Sequence, residues 1–202
     1  RPRSSYISHP GAFVSATGLA GPLRAAGPAV KNPGALVDSV LAAYGGKAAL
    51  DKVQAYRLEG TVSSVMRGNG ALVRVFARPD RLKITLDYPN HPESRILDGG
   101  KGWRSDGQGN MAAADGFLLT SMVLQAARAN LPWLLNERRA TLKMLGAMEG
   151  GKLQGLEVPL GAGLTLTVYV DTATRRIVRS SGVLEAPGMK TNFATDYADF
   201  RT

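Results

Sequence analysis

The chain has 202 residues, with 25 Lys and Arg, 16 Asp and Glu, two His and no Cys, which gives a formal charge of +9. The lack of Cys excludes disulfides, thiolate-ligated metal centres and a cysteine nucleophile within these residues. With 44% hydrophobic and 20% charged residues, the composition is that of a globular protein of one domain or at most two.

The excess positive charge is diffuse. It lies within residues 1–155, whereas residues 156–202 are neutral, and no run of five like charges occurs. A nucleic-acid-binding arm normally concentrates its basic residues, so we expect no nucleic-acid partner. Two interpretations stay open: a basic surface that confers solubility, and weak attraction to anionic lipid head groups.

Residues 1–33 form an irregular N-terminal extension. Two arginines at its start, an uncharged stretch over 4–23 and a run of small residues after Arg24 resemble a degraded secretory signal. Several Gly and Pro residues interrupt any helix in it. Residues 1–31 therefore either dock on a partner, such as a membrane-protein complex, or lie on the surface of the chain's own domain.

The main domain covers residues 34–202 and begins with a helix. Asn32 is a suitable N-cap, Pro33 suits a first helical turn, and Gly45-Gly46 ends the pattern. Apolar residues recur at helical spacing between these signals: Leu36, Val37, Val40, Leu41 and Tyr44. A short second helical turn is predicted over 47–53.

From Arg57 the apolar period changes to two. The strictest alternation of apolar and polar residues covers 81–87 and 164–170, which predicts antiparallel strands with one solvent-exposed face. Weaker strand candidates lie between turn signals, at 57–66, 71–78, 94–98, 101–105, 153–158, 176–184 and 190–200.

A second helix is predicted over 111–131, ending at Pro132. Its apolar residues recur at spacings of three and four, and only Asp115 and Arg128 are charged between residues 111 and 136. Such a helix faces a core or forms a lid. The order helix, strands, helix, strands predicts an α+β fold in which one curved antiparallel sheet carries helices across its opening.

Catalytic motifs are weak in this sequence. Gly146 and Gly151-Lys152 have the spacing of a P-loop, but Leu153 replaces the hydroxyl residue that would hold magnesium. His91 lies in a proline-flanked loop without an evident partner, and the carboxylates mostly occupy turns or strand ends. We therefore expect no enzyme activity, no metal site and no cofactor.

Several short motifs carry a family resemblance. They are FARPDRLKI at 76–84, Tyr88-Pro89, ILDGGKGW at 96–103, and the closing stretches at 169–171 and 197–200. Their order resembles the bacterial outer-membrane lipoprotein carrier superfamily (LolA/LolB-like) over residues 34–202. The resemblance implies a half-open antiparallel β-barrel whose concave apolar face is covered by a helical lid.

The resemblance also implies a function. We expect a periplasmic binding or carrier protein for a lipid, an acyl chain or a lipoprotein. The alternative is a non-catalytic accessory subunit of a larger cell-envelope membrane complex, docked through the N-terminal extension.

The expected apolar cavity draws on both the strands and the helical segment. Its lining residues are Leu82, Ile84, Leu86, Trp103, Phe117, Met122, Trp133, Leu166 and Val168. Arg78 matches the arginine that holds the lid closed in the lipoprotein carriers, since a guanidinium can bridge several acceptors. The alternative for Arg78 is a solvated charge at a strand end.

Overall fold

A computed structural model describes residues 29–186 and 188–200. Most of the predicted extension, residues 1–28, lies outside the described residues. Where the description begins, the backbone N–H of Val30 donates to Gln154 Oε1 at 3.1 Å, and Gln154 Nε2 donates to the Val30 carbonyl at 2.8 Å. This exchange ties the start of the described chain to the strand that contains Gln154.

The fold is α+β with two antiparallel sheets. The first sheet is a six-stranded meander in which each strand pairs with the next along the chain. Its strands are β1 (Ala55–Ser64), β2 (Gly68–Ala77), β3 (Arg81–Asp87), β4 (Glu93–Asp98), β5 (Lys101–Ser105) and β6 (Met111–Ala114).

The second sheet has five strands, also paired in chain order. Its strands are β7 (Lys143–Met148), β8 (Leu153–Gly161), β9 (Leu164–Asp171), β10 (Ile177–Ala186) and β11 (Met189–Asp196). The sequence predicts one curved sheet, whereas the helical segment between β6 and β7 separates the strands into two. Hairpins connect neighbouring strands within each sheet, because antiparallel strands can be joined by short turns.

The described residues form four α-helices and two short 3-10 turns, at Arg139–Thr141 and Glu149–Gly151. The helices are α1 (Pro33–Ala43), α2 (Lys47–Asp51), α3 (Gly116–Ala129) and α4 (Trp133–Glu137). At the start of α1, the side-chain oxygen of Asn32 accepts the N–H of Ala35 at 2.7 Å, as the N-cap prediction requires.

Two strands were not predicted. The sequence predicts one helix over 111–131, but residues 111–114 form β6 and the helix begins only at Gly116. The Ala112–Ala114 run has no periodicity of its own, so pairing with β5 decides its conformation. Strand β7 is an edge strand with an exposed Leu145 and an irregular register near Gly146, so it lacks a clean alternation.

Helix α3 lies between the two sheets. It contacts β4 and β5 of the first sheet and β9 and β10 of the second. Met122, Ala126 and Ala129 pack into the apolar core of the first sheet, whereas Leu124 and Ala127 pack into that of the second. The helix is therefore buried on two sides.

Candidate functional site

The face of each sheet that packs against α3 is called its inner face. On the inner face of the first sheet, the predicted lining residues Leu82, Ile84 and Leu86 are buried in one core with Met122 of α3. Alternation along β3 directs these three side chains to the same side. The structure therefore brings four of the predicted lining residues together.

A second group of predicted lining residues lies in the core of the second sheet. Leu166 and Val168 of β9 are fully buried there with Trp133 of α4, and Phe117 of α3 packs at the margin. The indole N–H of Trp133 donates to the Leu50 carbonyl at 2.9 Å, which fixes the ring against α2. These residues and the first group lie on opposite sides of α3.

Trp103 does not belong to either group. It pairs with Ile96, and Ile96 pairs with Lys83, the neighbour of Leu82 on β3. Because successive strand residues point to opposite faces, Trp103 lies on the outer face. The inner position beside it is occupied by Gly102, and the prediction that Trp103 lines the interior is corrected by this register.

Two glycines allow α3 to approach both sheets closely. A Cβ atom added at Gly182 of β10 would lie 2.6 Å from Leu124 Cδ1, and one added at Gly102 of β5 would lie 2.9 Å from Leu119 Cδ1. A larger residue at either position would displace the helix. Side chains of α3 thus occupy the space between the inner faces.

Arg78, the predicted latch, contacts two helices. Its Nη2 donates to Glu137 Oε1 of α4 at 3.1 Å, and its Nη1 lies 3.9 Å from Asp51 Oδ1 of α2. The guanidinium carbon lies 5.3 Å from the centre of the Trp133 ring. With its side chain only 20% exposed, Arg78 joins the end of β2 to both helices rather than extending into solvent. Its latching role stays a prediction.

Glu93 is a buried carboxylate among three arginines, Arg67, Arg95 and Arg104. Its side chain is 1% exposed, and its oxygens lie 2.7 Å from Arg67 Nη1, 2.5 Å from Arg95 Nε and 3.1 Å from Arg104 Nε. Desolvation raises the pKa of Glu93, but the arginines, with Arg95 foremost, outweigh it and lower the pKa to about 2. Each of these arginines therefore has an anionic partner.

Two further arginines, Arg74 and Arg128, have no anionic partner among the described residues. Arg74 of β2 pairs in register with Ile84, which places it on the inner face, and Arg128 lies in the last turn of α3. Arg128 Nη2 donates to the Phe193 carbonyl. The Nε atoms of both arginines are buried without a hydrogen-bond partner, and no carboxylate of the described chain forms an ion pair with either. We call Arg74 and Arg128 the arginine pair.

Two tyrosines flank the arginine pair. The Tyr56 hydroxyl donates to the Ala129 carbonyl at the end of α3, 2.7 Å away. The Tyr197 hydroxyl lies 2.8 Å from Ser180 Oγ, within hydrogen-bond distance. Both tyrosines interact electrostatically with Arg74, and Tyr197 also with Arg128. The four side chains therefore come from β1, β2, α3 and the segment that follows β11.

Burial shifts the ionisation of this cluster. Desolvation lowers the pKa of Arg74, and it lowers that of Arg128 to about 10, with repulsion from Arg74 adding to the effect. Desolvation also raises the pKa of Tyr56 and Tyr197. At neutral pH the cluster consequently holds two positive charges beside neutral hydroxyl groups.

The arginine pair was not among the predicted site residues. Arg128 was visible as one of two charges in a long apolar segment. The signal for Arg74 was its position between Leu72 and Phe76 in a period of two, which places a charge on an otherwise apolar face. A separate open cleft of about 290 Å³ lies against the first sheet, and no predicted site residue lines it.

Within residues 29–186 and 188–200, no group of three or more His, Asp and Glu side chains is placed to hold a metal ion. No helix of this described part is long and apolar enough to cross a membrane. No protein-family model matches the chain, and no curated protein matches it. A functional proposal for this chain depends on its own residues and their geometry.

Proposed function

We propose that the chain is a periplasmic carrier that binds a lipid, an acyl chain or the acylated part of a lipoprotein. In this proposal the two sheets form a half-open β-barrel, and α3 and α4 are its lid. One observation carries the proposal: α3 lies enclosed between the inner faces of the two sheets, and each of these faces has an apolar core. An acyl chain would occupy this same space when the helix moves out.

The chemistry of the inner faces suits an acyl chain. Leu82 and Ile84 on one side and Leu166 and Val168 on the other present aliphatic groups that α3 now covers. A buried CH₂ group contributes about 0.8 kcal/mol, so a long acyl chain gains enough to compete with a helix that buries a few side chains. Ligand binding and lid opening are therefore coupled through one shared surface.

The connections at both ends of α3 permit the helix to move. At its start, Asp115 makes no side-chain hydrogen bond as N-cap, and Gly116 has a φ of 48°, in the left-handed region. At its end, Pro132 interrupts the helical hydrogen bonds before α4. Both connections can change conformation without breaking a strand.

The contacts of Arg78 support a closing role. The ion pair with Glu137 and the contact with Trp133 join α4 to the first sheet. Since these contacts are partly exposed, each contributes about 1 kcal/mol or less, and opening can exchange them for contacts with water. The formal charge of +9 is compatible with a carrier that visits anionic membranes.

A disulfide lock tests the proposal. The chain has no Cys, so the double variant Gly182→Cys, Leu124→Cys introduces a single possible disulfide. A Cβ atom at Gly182 would lie 3.3 Å from Leu124 Cγ, close to the separation of about 3 Å between a Cβ and the opposite sulfur in a disulfide. Oxidation should hold α3 against β10 and abolish binding of radiolabelled hexadecanol and hexadecanoate, and reduction should restore it.

The matched control is the variant Thr167→Cys, Ser181→Cys, whose positions are register partners on β9 and β10. This disulfide joins two strands of one sheet and leaves α3 free, so we expect binding in both redox states. The carrier proposal fails if the reduced protein binds neither ligand, or if the oxidised lock binds as well as the reduced one. Binding is measured by equilibrium dialysis, and native mass spectrometry counts the bound molecules.

A further inference from the structure

Among the described residues, the arginine pair is a partly buried positive charge, with both Nε atoms buried, that has no anionic partner. Within the described residues the acceptors for Arg74 and Arg128 are limited to the Phe193 carbonyl, which takes one N–H of Arg128. By contrast, Arg95 and Arg104 on the same inner face meet the carboxylate of Glu93. The carboxylate of Glu93 thus neutralises the positive charge of one group of arginines, whereas no described carboxylate neutralises the charge of the arginine pair.

Stability alone does not account for this arrangement. Burying a charge is unfavourable unless it is paired, and two like charges that repel each other increase the cost. Gln125, one turn before Arg128, adds a buried amide oxygen without a hydrogen-bond partner, and its residue is only 7% exposed.

An oxyanion supplies the missing acceptors. A carboxylate or phosphate accepts several hydrogen bonds and forms its strongest ones with guanidinium groups, preferably away from water. The cluster also lies beside the apolar inner faces, since Arg74 pairs with Ile84 and Tyr56 packs against both cores. A molecule with an anionic end and an aliphatic chain matches both parts of this surface.

We propose that Arg74 and Arg128 bind the anionic head group, a carboxylate or a phosphate, of an acyl ligand whose chain lies between the inner faces. This inference rests on the proposed carrier function and specifies its ligand class as anionic amphiphiles. The Tyr56 and Tyr197 hydroxyls, which now bond to Ala129 and Ser180, flank the same position. Because Arg128 lies in the last turn of α3, head-group binding keeps this end of the helix beside β2 while the start of the helix moves outward.

The test compares ligands that share a chain and differ in head group. Equilibrium dialysis measures the affinities of hexadecanoate, hexadecyl phosphate, hexadecanol and inorganic phosphate for the wild-type protein. We expect both anionic amphiphiles to bind at least about tenfold more tightly than hexadecanol. At least one additional hydrogen bond between the charged head group and an arginine accounts for this difference in affinity. Inorganic phosphate, which lacks the chain, should bind far more weakly than hexadecyl phosphate.

Variants assign the preference to the arginine pair. Arg74→Met and Arg128→Gln should each reduce hexadecanoate affinity about tenfold and leave hexadecanol affinity unchanged. Arg81→Met is the control, because this arginine pairs with Asp98 on the exposed surface. Without ligand, Arg74→Met should unfold at the same temperature as the wild type or a higher one, since it removes a partly buried charge that has no anionic partner among the described residues.

The outcomes separate the two proposals. If hexadecanol and hexadecanoate bind equally well to the wild type, the head-group inference is wrong although the carrier proposal stands. If no amphiphile binds, both proposals are wrong. Equal affinity for inorganic phosphate and hexadecyl phosphate overturns the inference in favour of a free-anion site. A lower unfolding temperature of Arg74→Met with unchanged hexadecanoate affinity overturns it in favour of a structural arginine.

Discussion

Replacing Glu93 by Gln tests the buried ion cluster of the first sheet. The substitution keeps the shape of the side chain and removes the charge that Arg67, Arg95 and Arg104 share. The three arginines then lie around a neutral amide, so positive charge in the sheet is uncompensated. We expect a clear loss of unfolding free energy at neutral pH, because Glu93 is 1% exposed and water does not replace it.

The magnitude follows from the pKa of Glu93, which is lowered from 4.5 to about 2. One pKa unit corresponds to about 1.4 kcal/mol, so the carboxylate contributes at most about 3 kcal/mol. Arg67 and Arg104 are 32% and 38% exposed, and solvent screening reduces the contribution to about 2 kcal/mol. Since the folded pKa lies below the unfolded one, this stability is present above pH 4.5 and is lost as the pH falls towards about 2.

Urea unfolding across this pH range measures the effect. At neutral pH the Glu93→Gln variant should be less stable than the wild type by about 2 kcal/mol, and the two stabilities should converge as the pH falls to about 2 and below, where Glu93 becomes protonated. Glu59→Gln serves as the control, because Glu59 forms an exposed pair with Arg57 and should change stability by about 0.5 kcal/mol or less. A difference between the wild type and Glu93→Gln that stays constant with pH would refute the charge argument.

Two further substitutions test the packing of the helices. Arg78→Ala should lower the unfolding free energy by about 1–2 kcal/mol and accelerate hydrogen exchange in α4, whereas the control Arg81→Ala, at an exposed site, should do neither. Equal exchange in both variants would contradict a latching contact. Gly182→Ala places a Cβ 2.6 Å from Leu124 and should cost about 1–3 kcal/mol in thermal unfolding, whereas Gly60→Ala, with no atom within 4 Å of its added Cβ, should cost little. An unchanged midpoint for Gly182→Ala would show that α3 can shift away freely.

Much of the fold could be predicted from the sequence because the strands have a local pattern of alternating apolar and polar residues. Strands β3 and β9 alternate without error, so their boundaries and buried faces followed from the period of two. The division into two sheets could not be read in this way. It depends on which strands pair across the helical segment, and that is a property of long-range contacts rather than of local pattern.

Trp103 shows that the type of a residue alone does not determine which face of a sheet its side chain occupies. A large aromatic residue after a hairpin invites assignment to an apolar interior, yet the inner position of β5 belongs to Gly102. The reason is steric: α3 passes so close to β5 that a Cβ at that position meets Leu119 and Met122. Only the register, combined with the path of the helix, shows which of the two neighbours faces inwards.

The arginine pair was hidden for a related reason. Arg74 and Arg128 are 54 residues apart in the sequence, in a strand and a helix whose mutual packing no local pattern reveals. Neither arginine, considered on its own in the sequence, indicates a binding site. The burial of both Nε atoms, with no acidic partner in the part of the chain that the structure describes, becomes visible only when β2 and α3 are brought together.

The same pair bears on whether α3 is a permanent core element or a removable lid. Burying Met122 and Leu124 stabilises the docked helix by about 1.5–3 kcal/mol for each side chain. Burying Gln125 and part of Arg128 without adequate partners opposes this gain, because desolvated polar groups that lack hydrogen bonds destabilise the docked state. Helix α1 buries only the apolar side chains of Leu36, Val37, Val40 and Leu41, so it has no such compensation. Compared with α1, α3 therefore loses less free energy per buried apolar side chain when it leaves the core.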